Sequence, residues 1–149
     1  IVNNRPRPFI WLKFDSGDLT NSTTLRNYGS QGSDATLNKI GTGAYPQLLT
    51  TGQNVGTGCI SLVAQADTQN GGYVSMSPIT TTTNGITFAI WFKFETTGTM
   101  YAFSRLFDFG DQPNTVDIIS YFGDYSNLVA LIVNTDLVEV YNPVFNTGE

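Results

Sequence analysis

Histidine is missing from all 149 residues. That one absence excludes Ser-His-Asp and Cys-His catalysis, histidine general bases and imidazole metal ligands. Cysteine is nearly missing as well. Cys59 stands alone, so the chain can form neither an internal disulfide nor a cysteine zinc site. Within Thr57-Gly58-Cys59-Ile60-Ser61 no cation is present to lower the thiol pKa. The residue therefore reads as a small buried hydrophobe rather than a reactive thiol. A single cysteine leaves the redox compartment open. Charge is scarce: 13% of residues are Asp, Glu, Lys or Arg, about half the usual share. The seven basic residues are scattered apart from Arg5 and Arg7, and the net charge is −5. Phosphate backbones and anionic membrane surfaces are held by clustered Lys and Arg, so neither nucleic acid nor a membrane is expected as a partner. No apolar run approaches the roughly 20 residues of a membrane span.

What is present is apolar, aromatic and turn-forming. Hydrophobic residues make up 40% and aromatics 13%. A chain of this length suits one all-β domain with a core of its own. The polar surface must come from Thr, Ser, Asn, Gln and Gly, a composition common among secreted and virion-surface proteins. Ile1 to Pro8 reads as an extended arm, because prolines at alternate positions oppose a helix and remove ladder donors. It has no signal-peptide core and no starting Met, and the expectation is a processed product or a piece of a longer protein. Residues 9–149 are expected to form one domain.

Period-two alternation is the strongest signal. In Phe9 to Asp15, the residues Ile10, Leu12 and Phe14 point one way, and Phe9, Trp11, Lys13 and Asp15 the other. In Thr87 to Glu95, the four residues Phe88, Ile90, Phe92 and Phe94 alternate strictly. A helix would scatter them and a strand collects them. This stretch is expected to be a central strand with one buried stripe, where Phe92→Ala costs about 3–5 kcal/mol. Shorter strands are expected at Ala35 to Leu37, Cys59 to Leu62, Gly72 to Met76, Ala102 to Phe109, Val116 to Phe122, Leu128 to Val133 and Leu137 to Tyr141. Turn chemistry separates them at Asp15 to Asp18, Asn27 to Gly32, Gly110 to Asn114, Gly123-Asp124 and Asn134 to Asp136. Strands at this spacing imply antiparallel sheets in a sandwich. Asn21-Ser22-Thr23 is a glycosylation sequon, meaningful only in a secretory pathway.

The order of these motifs resembles the laminin-G-like branch of the concanavalin A-like lectin/glucanase superfamily. Trp11-Leu12-Lys13-Phe14-Asp15 is similar to the opening strand of that family, and Ser30 to Leu37 to the turn and short strand after it. Gly56 to Leu62 and Tyr73-Val74-Ser75-Met76 follow in order. Ile86 to Lys93 resembles the family's "fTisaWvk" strand, and Ser104 to Gly110 its "sRifdfG" segment. The resemblance covers about residues 9–133 and implies an all-β, antiparallel jelly-roll β-sandwich of the concanavalin A-like kind. The closing "W-x-h-v-A" strand and "v-Y-v-N-G" turn of such domains are not found. The resemblance therefore implies a short or shortened relative, with an exposed edge that invites a neighbour.

Candidate site residues fall into three sets. Trp91, Tyr101, Tyr121 and Tyr125 could stack on sugar rings, or simply pack. Arg105 sits between apolar residues, either paired with an acid such as Asp108 or facing a ligand. Asp108, Asp111 and Asp117 cluster around one loop. The resemblance implies calcium at a sheet rim, and calcium takes six to eight oxygens; the alternative is solvated turn aspartates. Other motifs carry less. Asp108-Phe109-Gly110 spells a kinase magnesium motif, but a kinase also needs a His-Arg-Asp loop. The glycine-rich Gly52 to Gly58 is followed by no Gly-Lys-Ser/Thr. The glucanases of the superfamily place acids in a Glu-x-Asp-x-x-Glu pattern on one strand. Here the only glutamates are Glu95, Glu139 and Glu149, none in that pattern.

These observations imply a non-catalytic module that binds glycan or protein surfaces, in a larger extracellular or virion protein. The alternative is a structural brick of a virion or surface layer, associated with other chains through its arm and sheet edge. A glycoside hydrolase is the third reading.

Overall fold

The computed structural model describes residues 7–53, 55–62, 70–78, 87–92, 104–108, 116–121, 128–133 and 136–141. The described residues form strands, turns and extended segments with no helix, and every strand pairing is antiparallel. The chain is thus all-β over this part. It divides into two compact units, Ile1–Trp91 and Phe92–Glu149. The expected arm at Ile1 to Pro8 falls almost wholly outside the described residues.

The first unit carries five short strands: β1 (Thr24–Leu25), β2 (Ala35–Ile40), β3 (Gln47–Leu49), β4 (Cys59–Ser61) and β5 (Gly71–Ser75). A three-stranded sheet runs in the order β1-β2-β5, and β3 and β4 form a separate pair. β2 shows why it is a strand. Ala35 and Leu37 are buried while Thr36 between them is exposed, so one face enters the core and the other meets water. Leu37 stands opposite Val74 of β5. The strand ends where Gly41 takes φ +56° and the Gly43 amide donates back to the Ile40 carbonyl, closing a turn. The core of this unit is Leu25, Ala35 and Leu37, with Leu12, Phe14, Leu48, Ile60, Val74 and Met76 packed around them. Each leucine buried there contributes roughly 1.5–3 kcal/mol.

The expected first strand is extended but enters no ladder. Its bonds go to the Arg26–Gln31 stretch. The amides of Tyr28, Ser30 and Gln31 donate to the carbonyls of Trp11, Pro8 and Phe9, and the Trp11 amide donates to Asn27 Oδ1 at 3.0 Å. A turn cannot run straight beside a strand, so a side-chain amide takes one rung's place. The alternation survives. Leu12 and Phe14 reach the core, and Phe9 and Trp11 are exposed. Phe14 closes the segment with φ +58°, an uncommon conformation for a bulky residue.

The segment with the strongest alternation differs from expectation. Residues 87–92 form no strand. Phe88 is half-buried, while Ile90 is 43% and Phe92 37% exposed; Phe94 lies outside the described residues. Alternation gathers apolar side chains on one side of an extended chain. Burying them takes a full second layer, and here more than a third of Ile90 and Phe92 is left to solvent.

The second unit carries β6 (Ser104–Asp108), β7 (Val116–Tyr121), β8 (Leu128–Val133) and β9 (Asp136–Tyr141) in one sheet ordered β6-β7-β8-β9. Each strand pairs with the next in sequence. Val116 to Tyr121 runs opposite Val133 to Leu128 without a slip, and Leu128 to Val133 opposite Tyr141 to Asp136. β-Branched and aromatic residues make up ten of the eighteen positions of β7, β8 and β9, the types that favour a pleated strand.

Candidate functional site

The register of the second unit gathers half of the candidate residues on one face. Residues directly opposite in a ladder share a face, as do residues two apart in a strand. Asp117, Ile119 and Tyr121 therefore share a face of β7. Arg105 stands opposite Ile119, and Asp108 opposite Asp117. Arg105, Asp108, Asp117 and Tyr121 thus occupy one side of the sheet. Glu139, level with Arg105 through Ala130, joins them, as does Tyr141, level with Tyr121 through Leu128.

This grouping depends on one irregularity. Arg105 and Asp108 are three apart, and strict alternation would put them on opposite faces. Between Arg105 and Phe107 the register shifts, because β6 advances two residues while β7 advances from Ile119 to Ile118. That bulge inserts Leu106 as an extra residue. Bulges of this kind re-aim side chains and occur beside functional sites. The opposite face holds Phe107, Ile118, Leu131 and Val138 in one row, Ser104, Ser120, Val129 and Val140 in the next, and Val116, Val133 and Asp136 in a third. That face is mostly apolar, and the first one is mixed.

Chemically, the mixed face pairs two carboxylate positions across a ladder, about two residues or roughly 7 Å from an arginine position. Opposed like charges destabilise a sheet unless a counter-charge or ligand offsets them. Two carboxylates supply at most four of the six to eight oxygens that calcium takes, and Asp111 lies outside the described residues. Among the described residues no three His, Cys, Asp or Glu side chains gather as a metal set. Asp108 is exposed and engaged by another residue.

The remaining candidates are dispersed. Trp91 is 77% exposed and ends the first unit. Tyr101 and Tyr125 lie outside the described residues. Cys59 is half-buried in β4, where its thiol donates to the Thr51 carbonyl at 3.2 Å.

Sequence reasoning missed a cluster on the first unit. Trp11 and Tyr28 meet edge to face with centroids 6.3 Å apart. Lys13 Nζ lies 4.0 Å from the Tyr28 centroid and 5.0 Å from that of Trp11, and Arg26 Cζ lies 5.9 Å from Tyr28. Under them, Asp18 is only 2% exposed. Its Oδ1 accepts from the Tyr28 hydroxyl at 2.7 Å and its Oδ2 from the Asp15 amide at 2.9 Å. That hydrogen bond to Asp18, joined by desolvation, raises the Tyr28 pKa above 10.0. The available signal was the i,i+2 spacing of Trp11 with Lys13 and of Arg26 with Tyr28. Nothing in the sequence says that the two pairs meet.

No family model, no curated protein and no solved structure matches the chain. No described helix is long and apolar enough to cross a membrane.

Proposed function

We propose that this chain is a non-catalytic binding module for glycan or protein surfaces. In this reading it is a jelly-roll sandwich of the concanavalin A-like, laminin-G-like kind, within a larger extracellular or virion protein. The observation that carries the reading is the bulge in β6. An extra residue there puts the Arg105 and Asp108 positions together on the face that holds Asp117 and Tyr121. A purely structural sheet gains nothing from a device that collects Arg105, Asp108, Asp117 and Tyr121. A tyrosine offers a flat apolar ring with a polar tip, and an arginine a fork of donors. That pair suits hydroxyl-rich or carboxylate-bearing surfaces. Without histidine, and without the glucanase acid pattern, the face is read as a binding surface.

A panel of immobilised glycans and extracellular proteins tests this. We expect at least one partner whose binding falls about tenfold or more in both Arg105→Ala and Tyr121→Ala. Retention of every interaction by both variants would sink the reading.

A structural role in an assembly is the second reading, favoured by the exposed apolar side chains of the first unit: Ile40, Tyr45, Val55, Leu62 and Tyr73. Exposed apolar surface of this kind marks interaction sites when it is contiguous. Sedimentation of the isolated chain at high concentration separates the two. A monomer removes the assembly role, and a defined oligomer favours it.

A further inference from the structure

We infer that the first unit carries a second, independent site, formed by Lys13, Arg26, Trp11 and the Ile10–Leu12 edge, that takes an extended acidic peptide segment of a partner protein. It belongs to the first unit and does not rest on the function proposed for the β6–β7 face of the second.

The charges come first. The chain has twelve acidic residues and seven basic ones, so a basic side chain has many possible partners. Yet Lys13 and Arg26 gather over aromatic rings, and among the described residues neither forms an ion pair. The carboxylates of the same neighbourhood are committed elsewhere. Asp18 is buried under the Tyr28 hydroxyl and the Asp15 amide. Asp34 accepts from the Asn27 amide at 3.0 Å. Two cations held near one ring repel each other, and a carboxylate arriving between them offsets that repulsion. Cation–π contact fixes where the Lys13 ammonium sits and leaves its hydrogen-bond donors available.

The backbone supplies the second argument. The strap to the Arg26–Gln31 stretch takes its bonds from Pro8, Phe9 and Trp11, and none from Ile10 or Leu12. Alternate residues of an extended segment direct their N–H and C=O groups to opposite edges. Pro8 precedes the bend at Phe9 and Ile10, and from there Phe9 and Trp11 turn to the strap, so the groups of Ile10 and Leu12, which flank Trp11, serve the edge away from it. An extended chain that pairs there puts alternate side chains beside Trp11 and Lys13 on the exposed face. Phe9 and Trp11, both exposed, offer apolar contact to its neighbouring residues.

The occupant follows from what is already covered. A sugar ring stacking on an indole needs its flat face, and Lys13 and the edge of Tyr28 crowd the ring of Trp11. What remains is apolar contact beside two cations and a backbone edge. That combination suits a peptide of alternating acidic and apolar residues.

The test uses the full chain and a capped hexapeptide alternating glutamate and valine, with its glutamine-for-glutamate counterpart. Amide NMR shifts are followed on titration. We expect the acidic peptide to bind about tenfold more tightly, with the Ile10 and Leu12 amides among those that move. The advantage should vanish in the Lys13→Gln, Arg26→Gln double variant, persist in Lys13→Arg, and fade near 1 M salt, where screening shortens to about 3 Å. Equal binding of the two peptides overturns the inference. So does stationary Ile10 and Leu12, or an acidic oligosaccharide such as tetragalacturonate outcompeting the peptide at these residues. A folded double variant, checked by its amide spectrum, is the condition for reading the result.

Discussion

The two units of this chain are held together in different ways. In the second, each strand pairs with its sequence neighbour, so bonds are made between residues close in the chain. In the first, β2 pairs with β5 across more than thirty residues, and loops are tied by side chains reaching the backbone. Asp15 Oδ1 accepts from the Thr57 amide at 2.7 Å, forty-two residues away. A ladder of backbone bonds needs only a register. A strap needs one particular side chain in one particular place. The second unit should therefore tolerate many substitutions that keep the apolar pattern, while the first should fail at single positions.

The largest effect should follow truncation of the first unit's small core. Leu37 is fully buried between Leu25, Ala35 and their neighbours. Leu37→Ala should lower stability by about 2–5 kcal/mol, as buried leucines do. A denaturant midpoint shifted by much less would mean that the unit rests on its straps and not on its core.

Asn27 is the strap to remove next. Its Oδ1 accepts from the amides of Trp11 and Gly29, and its Nδ2 donates to the carbonyl of Gln31 at 2.7 Å. Asn27→Ala removes these bonds, and because those to Trp11 and Gln31 are exposed and can be replaced by water, it should cost about 1–2 kcal/mol. Hydrogen exchange should then quicken at Trp11 and Gly29. Unchanged protection would show that the strap is decorative, and the contrast between the units would weaken. Gly29 marks the same closeness: a Cβ there would collide with the Phe9 carbonyl and the Ile10 backbone.

This contrast explains what the sequence revealed. Val116 to Phe122, Leu128 to Val133 and Leu137 to Tyr141 were legible because a ladder between neighbours needs only alternation and a turn signal, both local. The structure's bounds differ from these by a residue or less. The facing of Leu12 and Phe14 was legible for the same reason. The replacement of a ladder by Asn27 was not, since a side chain substituting for a rung has no periodic signature. Nor was the grouping of Arg105 with Asp108. Alternation counts residues and cannot see the register shift between Arg105 and Phe107.

Tyr28 gives a pH-dependent test of the first unit's buried polar network. Its hydroxyl proton is held by Asp18, so its pKa lies above 10.0 in the folded chain. A raised folded pKa means that the contribution to stability is fully present below the unfolded value. It is lost as pH rises through the folded one. Stability should therefore decline above about pH 10, and Tyr28→Phe should flatten that part of the profile. Ultraviolet titration of the phenolates should find a late-ionising component in the parent that Tyr28→Phe removes. A late tyrosine that survives the substitution would assign the shift elsewhere.

Phe92→Ala should have the smallest effect of the set, and here the sequence and the structure disagree most. Strict alternation of Phe88, Ile90 and Phe92 argues for a buried stripe, and a core phenylalanine costs about 3–5 kcal/mol to truncate. In the structure Phe92 belongs to no strand and is 37% exposed. Truncation then removes contact on one side only and leaves no closed cavity. The cavity contribution that makes core truncations expensive is absent, and what remains is part of the transfer term. Phe92 still has partners, so the cost is not zero, and we expect about 1 kcal/mol. The denaturant midpoint of the single variant measures it, with Leu37→Ala beside it as the buried standard. A cost equal to that of Leu37→Ala would mean that Phe92 is covered in solution. The stripe read from the sequence would then be part of a core, and the strongest alternation in the chain would regain the central strand it implies.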